Sequence, residues 1–207
     1  MVQVHVVQVG VLATNCYVIH ADDESDCIVI DPGGESEKII KFLEENKLTP
    51  SGIVSTHAHA DHTGGVAPLV ERYGCKFLIG HEDVVAAADQ IDWLKSMLGD
   101  FVEPPAPSET LKHGDLVSST GVKINVLATP GHTEGSSSLY MSGHVFTGDT
   151  LFRESIGRFD LSGGDEQQEI ASIKNVLFEL PDETIVWPGH GPSTSIGHEK
   201  VANRFVR

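Results

Sequence analysis

The sequence predicts an α/β protein built as a four-layer α/β-β/α sandwich, two sheets pressed face to face with helices on both outer faces. Two observations lead there. Each half of the 207-residue chain runs through several short Val- and Ile-rich strands and then into amphipathic helical stretches. A proline-rich connection at residues 103–108, Glu-Pro-Pro-Ala-Pro-Ser, separates the halves, because its prolines cannot continue a helix. A chain of this length buries a sizeable core, and residues 1–207 are expected to form one domain.

In the first half, residues 2–9, 15–20 and 27–30 are short, rich in Val and Ile, and bounded by Gly, Asp or Ser, which predicts a β-meander. Asp31-Pro32-Gly33-Gly34 stops the third strand. Residues 35–47 then place Ile39, Ile40, Phe42 and Leu43 at helical intervals with charge between them, the pattern of a helix packing one face on a sheet. Residues 53–56 predict the next strand. Gly64-Gly65 opens a helix through Val66, Leu69, Val70 and Tyr73 that Gly74 closes. Residues 77–79 read as a strand and 82–98 as one or two helices.

In the second half, residues 122–128, 137–141 and 144–147 form further strands, with a tight turn at Ser142-Gly143. Residues 165–180 carry Ile170, Ile173, Val176, Leu177 and Leu180 on one helical face, and residues 184–187 form the last strand.

Composition narrows the function. Apolar residues make up 40% and charged residues 21%, which is ordinary for a globular chain. The net charge of −16 tells against a surface that tracks nucleic-acid phosphates. Cys16, Cys27 and Cys75 are isolated and odd in number, so they are expected to be buried small hydrophobes in a reducing cytoplasm. The first residues lack a basic region followed by an apolar stretch, and no run approaches the length of a membrane span. The expected partner is therefore a small molecule, with no nucleic acid and no membrane.

The chemistry lies in seven donors. Thr-His-Ala-His-Ala-Asp-His at residues 56–62 supplies His57, His59, Asp61 and His62, and His132, Asp149 and His190 follow later. His57 and His59, two apart in an extended segment, project to the same side and can share an ion. Asp61 and His62 lie where the chain turns toward a helix and suit a second ion. His132, Asp149 and His190 each follow a predicted strand and a glycine, and strand-end loops are where α/β proteins build sites. Imidazole and carboxylate without thiolate suit zinc first, with iron, manganese or cobalt as alternatives. Two such ions about 3.5–4 Å apart, sharing the Asp149 carboxylate and a hydroxide, would provide a nucleophile near neutral pH without a Ser or Cys.

At these residues the chain resembles the metallo-β-lactamase-fold superfamily, whose His-x-His-x-Asp-His signature stands at residues 57–62. Within it the chain is most similar to glyoxalase II, the hydroxyacylglutathione hydrolases, and to its short relatives without the C-terminal helical extension. The similar strings are Thr14-Asn15-Cys16-Tyr17, Asp31-Pro32-Gly33, the Thr-Pro-Gly-His-Thr-Glu-Gly-Ser run from Thr129, Gly148-Asp149-Thr150-Leu151-Phe152, Ser155-Ile156-Gly157-Arg158 and Gly189-His190-Gly191-Pro192-Ser193-Thr194. The resemblance implies His57, His59 and His132 on one metal, Asp61, His62 and His190 on the other, and Asp149 between them. It implies hydrolysis of a thioester, S-lactoylglutathione above all, to glutathione and a hydroxy acid. Turnover is expected to depend on Asp61.

Other readings share the resemblance. Persulfide dioxygenases have this fold and the Gly-Arg loop but use a single iron, and lactone or other ester hydrolases share the hydrolytic chemistry. Arg153 and Arg158 flank the loop after Asp149 and are candidates to hold a substrate carboxylate, against an ordinary ion pair to Asp160 or Asp165. Position 136 is Ser where many glyoxalase II sequences have His. His81 and His198 each precede Glu and are expected near helix starts.

Overall fold

The computed structural model describes residues 1–88 and 101–206. Two six-stranded sheets dominate. The first contains, in order across it, β1 (Val2–Val9), β2 (Thr14–Ala21), β3 (Asp26–Ile30), β4 (Thr49–Ser55), β5 (Lys76–Gly80) and β6 (Glu109–Leu111). The meander of β1, β2 and β3 is antiparallel, as expected, and β3 to β6 then run parallel. Parallel neighbours need crossovers. These are α1 (Ser36–Glu45) between β3 and β4, and a short turn α2 (Ala60–Thr63) with α3 (Val66–Tyr73) between β4 and β5. Gly74 ends α3 in the left-handed region at φ 64°, where a side chain would be strained.

The second sheet has the order β14-β13-β10-β9-β8-β7, from β7 (Leu116–Ser119), β8 (Val122–Ala128), β9 (Ser137–Met141), β10 (His144–Gly148), β13 (Ile185–Pro188) and β14 (Thr194–Ser195). A separate hairpin pairs β11 (Leu151–Phe152) with β12 (Ser155–Ile156). The helices α5 (Glu166–Asn175) and α6 (Ile196–Ala202) accompany this sheet, while α4 (Val84–Ala88) follows β5 through a 3₁₀ turn at His81–Asp83.

Strand alternation creates the layers. Cys16, Val18, Cys27, Val29, Ile53, Phe77 and Ile79 turn outward from the first sheet onto Ile39, Leu43, Val66 and Leu69 of the helices. Their neighbours Tyr17, Ile19, Ile28, Ile30, Val54 and Leu78 turn inward and meet Val122, Ile124, Val126, Leu139, Met141 and Phe146 of the second sheet. Val145 and Val186 face outward from that sheet onto Ile173, Leu177 and Ile196. The four-layer sandwich thus stands as expected. All three cysteines are free and buried in the outer core of the first sheet.

The structure departs from the sequence reading where elements are short. Strands β6, β7, β11, β12 and β14 have two to four residues, too few for alternation to show. The stretch read as one helix over residues 165–180 breaks at Val176 (φ −119°) into α5 and a 3₁₀ turn at Leu177–Glu179. His81 opens a 3₁₀ turn, whereas His198 is the third residue of α6, which Ser195 caps by accepting a bond from the His198 N–H at 3.2 Å. Of the helix expected over 82–98, residues 89–98 lie outside the described residues. No helix among the described residues is long and apolar enough to cross a membrane.

Candidate metal centre

Six strands position the site. β3, β4 and β5 run parallel in one sheet, and β8, β10 and β13 point one way in the other. Their carboxyl ends share a rim, the usual position for sites in such sheets. His57 and His59 follow β4, Asp61 and His62 lie in α2, and His132, Asp149 and His190 follow β8, β10 and β13. The structure brings all seven together, with close groupings of His57, His59 and His132, of Asp61, His62 and His190, and of His57, His62 and Asp149 between them.

In the first trio, ring nitrogens of His57, His59 and His132 converge: His59 Nδ1 is 3.1 Å from His57 Nε2 and 2.9 Å from His132 Nε2. In the second, His190 Nε2 lies 3.2 Å from Asp61 Oδ2 and 3.3 Å from His62 Nε2. Asp149 stands between them, Oδ1 3.4 Å from His62 Nε2 and Oδ2 3.8 Å from His132 Nε2 and 3.6 Å from His190 Nε2.

The surroundings fix which nitrogens are lone-pair donors. His132 Nδ1 lies 2.7 Å from the Arg158 carbonyl and His190 Nδ1 3.1 Å from the Leu12 carbonyl, so both Nδ1 atoms carry hydrogen. The Thr56 hydroxyl donates to Asp31 Oδ2 at 2.8 Å, so His57 Nδ1 must donate to Thr56 Oγ1 at 3.1 Å. His62 Nδ1 faces Asp31 Oδ2 at 3.0 Å. Four rings therefore turn Nε2 toward the centre, where lone pairs would confront lone pairs unless a cation or proton lies between. This donor set fits divalent metal. Packing preserves the space: a Cβ on Gly189 would come 2.2 Å from Asp149 Oδ1 and 2.6 Å from His62 Cε1.

Electrostatics separate the trios. Burial, reinforced by neighbouring histidines, pushes His57 well below the usual histidine range and His59 down to about 4. At His62 burial opposes the charge, but Asp149, Asp61 and Asp31 outweigh it and hold the ring protonated well above that range. His190 is likewise raised against burial, through its hydrogen bond to Asp61 and the charge of Asp149. Burial works against both carboxylates, yet His62 and His190 keep Asp61 and Asp149 below the usual carboxylate range.

A metallo-hydrolase centre on this fold has known relatives. The family model of the metallo-beta-lactamase superfamily matches residues 9–190, and the chain belongs to that superfamily. It is 32% identical over 207 residues to the hydroxyacylglutathione hydrolase GloC of Haemophilus influenzae, covering 98% of this chain and 97% of that one. Among solved structures, TTHA1623 in a di-iron-bound form superposes with TM-score 0.88 at 37% identity, covering 97% of this chain and 99% of that one. BLEG-1, a B3 metallo-beta-lactamase, gives TM-score 0.90 at 34% identity, covering 100% and 99%.

The remaining candidates scatter. Arg158 is exposed and forks onto Asp160, Nε to Oδ1 at 2.9 Å and Nη2 to Oδ2 at 3.0 Å, the ordinary ion pair weighed above. Arg153 is exposed, has no ion-pair partner among the described residues, and lines a hollow of about 320 Å³ with Phe152, His190 and Pro192. Ser136 points away from the centre, its hydroxyl accepting the Thr133 N–H at 3.0 Å. His198 pairs with Glu154 at 3.0 Å.

Sequence reasoning assigned no role to four residues that hold the site. Asp31 accepts the Thr56 N–H at 2.7 Å as well as the Thr56 hydroxyl, and so steadies His57 and His62 together. Asn15 Nδ2 donates to the carbonyls of Pro188 (3.0 Å) and Gly191 (2.9 Å), and the Tyr17 hydroxyl to Pro188 (2.6 Å), fixing the His190 loop. Asp83 is the fourth. Strings of polar residues beside predicted strands were the available signal for Asp31, Asn15 and Tyr17; Asp83 gave none.

Proposed function

We propose that the chain is a binuclear metal-dependent thioester hydrolase whose substrates are S-acylglutathiones, S-lactoylglutathione foremost, cleaved to glutathione and a hydroxy acid. The observation that carries this reading is the convergence of seven His and Asp donors in two trios with Asp149 between them. The match to GloC over nearly the whole of both chains supports the substrate class.

In this reading His57, His59 and His132 would hold one ion and Asp61, His62 and His190 the other, with Asp149 available to either. Two divalent ions, zinc or iron, would supply Lewis acidity, acidifying a water and polarising the acyl carbonyl. The protein's own groups prepare the rest. Thr56 and the Arg158 and Leu12 carbonyls lock His57, His132 and His190 in the ligating tautomer. Asp61, a carboxylate held ionised by His62 and His190, orients the attacking water and neutralises part of the cationic charge. Arg153 at the His190 hollow attracts an anionic acyl-thiol, in a chain whose net charge of −16 would otherwise repel it. The C–S bond breaks to release a thiolate, a good leaving group that needs no dedicated acid. Three free, buried cysteines favour a reducing cytoplasm.

A turnover screen of S-lactoylglutathione, other thioesters, lactones and glutathione persulfide, on protein of measured metal content, tests the proposal. Two ions per chain and oxygen-independent thioester cleavage are expected. One iron with oxygen uptake on the persulfide, or turnover of lactones alone, would overturn it.

A further inference from the structure

Each trio is split between the two sheets. His57 and His59 leave β4 of the first sheet, and their partner His132 leaves β8 of the second; Asp61 and His62 belong to the first sheet, and His190 leaves β13 of the second. Ligating geometry in either trio therefore depends on something that holds one sheet's loop against the other's.

At the second trio, Asn15 and Tyr17 of β2 reach across to the β13 loop. At the first, the Ser137 N–H donates to the Thr56 carbonyl at 2.8 Å beside His57, and a buried carboxylate reaches from one histidine loop to the other. Asp83 ends the 3₁₀ turn after β5 and is 1% exposed. Its Oδ2 accepts the Ala58 N–H at 2.7 Å, between the two histidines of the first sheet, and the Thr133 hydroxyl at 2.8 Å, next to His132. Its Oδ1 accepts the Gly135 N–H at 2.7 Å. Because the Thr133 hydroxyl proton is committed to Asp83, Ser136 Oγ, 2.7 Å away, must donate to Thr133 Oγ1, which extends the tie along the His132 loop. The backbones meet closely here. A Cβ on Gly135 would come 2.6 Å from Asp83 Cγ, and one on Gly80 2.1 Å from the Gly135 carbonyl oxygen.

We propose that Asp83 is a positioning residue that holds His57, His59 and His132, and not the second trio, in ligating geometry across the gap between the sheets. The inference rests on the metal reading of the two trios. Both Asp83 oxygens accept backbone N–H groups, so an amide at this position presents an NH₂ to one of those donors in either orientation. Asp83→Asn keeps the shape and opens one tie.

Zinc affinity measured by chelator competition on two backgrounds tests this. With His190→Ala only the first trio is complete, and adding Asp83→Asn is expected to lower zinc affinity about 10- to 100-fold. With His59→Ala only the second trio is complete, and the same substitution is expected to change nothing. Equal loss on both backgrounds, loss on the His59→Ala background alone, or no loss on either would overturn the assignment. Should Asp83→Asn not fold, Thr133→Val removes the hydroxyl that bonds both Asp83 and Ser136 and is expected to give the same one-sided pattern, about threefold; a symmetric pattern or no loss would overturn the proposal. Wild-type protein that took up no divalent ion would instead defeat the metal reading, whereas two-ion uptake without the one-sided effect would defeat the clamp alone.

Discussion

The trio of His57, His59 and His132 holds two rings, His57 and His59, that burial keeps neutral, while Asp61, His62 and His190 form one in which carboxylates hold protons on the imidazoles. The two lie in the same rim, share Asp149, and come from the same pair of sheets. What differs is the placement of charge. His57 and His59 are flanked by other histidines and are deeply shielded, so neutrality is their resting state. His62 faces three carboxylates and must give up a proton before it can ligate. On the proposed metal reading, His57 and His59 would take metal near neutral pH without losing a proton, whereas His62 and His190 would exchange protons for it.

Asp61→Asn strikes the asymmetry hardest, since it removes the anionic ligand of the second trio and its share of charge neutralisation. Turnover is expected to fall by about 100-fold or more with the far-UV spectrum unchanged. Retained activity would mean the second trio does not take part.

The proton difference itself gives the next largest effect. A histidine whose pKa is raised keeps its proton to higher pH, so affinity at the second trio should fall as pH drops from 7.5 to 5.5. His59, at about 4, competes only well below that window. Zinc affinity on the His59→Ala background should drop about tenfold or more per pH unit, and on the His190→Ala background far less. Equal slopes would erase the distinction.

Asn15→Ala removes two hydrogen bonds to the His190 loop. A stability loss of about 1–3 kcal/mol in urea unfolding is expected, with weaker metal binding confined to the second trio. Together with the Asp83 variants it asks whether each trio has its own cross-sheet tie. Arg153→Ala tests the outer rim beside His190: KM for an anionic thioester should rise several-fold with kcat little changed, and Arg158→Ala should do less, because Asp160 already occupies that side chain.

A separate effect concerns stability below the site. Burial raises Glu169 on α5 to about 8. An acid with a raised folded pKa binds more protons when folded, so its contribution is present in full below the ordinary carboxylate pKa. It is lost as pH rises from about 4.5 through 8. Unfolding free energy should decline over that range by up to about 1.4 kcal/mol per pH unit, and Glu169→Gln should flatten the decline. An identical slope in the variant would exclude Glu169 as its source.

Much of this was legible in the chain because β8 alternates buried and exposed residues along most of its seven, while β2, β3 and β10 are runs of five to eight largely buried residues bounded by turn residues. The two-residue strands β11, β12 and β14 carry no period to read. The donors were legible because histidines and aspartates after glycine-ended strands are rare enough to stand out. Their supports were not, since Asp83 lies 25 residues from Ala58 and 50 from Thr133, both of which it binds. In sequence Arg158 was the stronger candidate of the two arginines. In the structure the neighbouring Asp160, two residues on, pairs with it.

The sequence by itself determined the layer order, the seven donors and the separation of His57 and His59 from Asp61 and His62, because those follow from residue pattern and from spacing within one loop, whereas the assignment of His132 and His190 came from family resemblance. Tertiary structure alone decided which nitrogen of each histidine faces the centre, which trio is protonated, and which buried groups join one sheet's ligands to the other's. Those properties depend on hydrogen bonds and charges between loops that meet only when the two sheets close on one another.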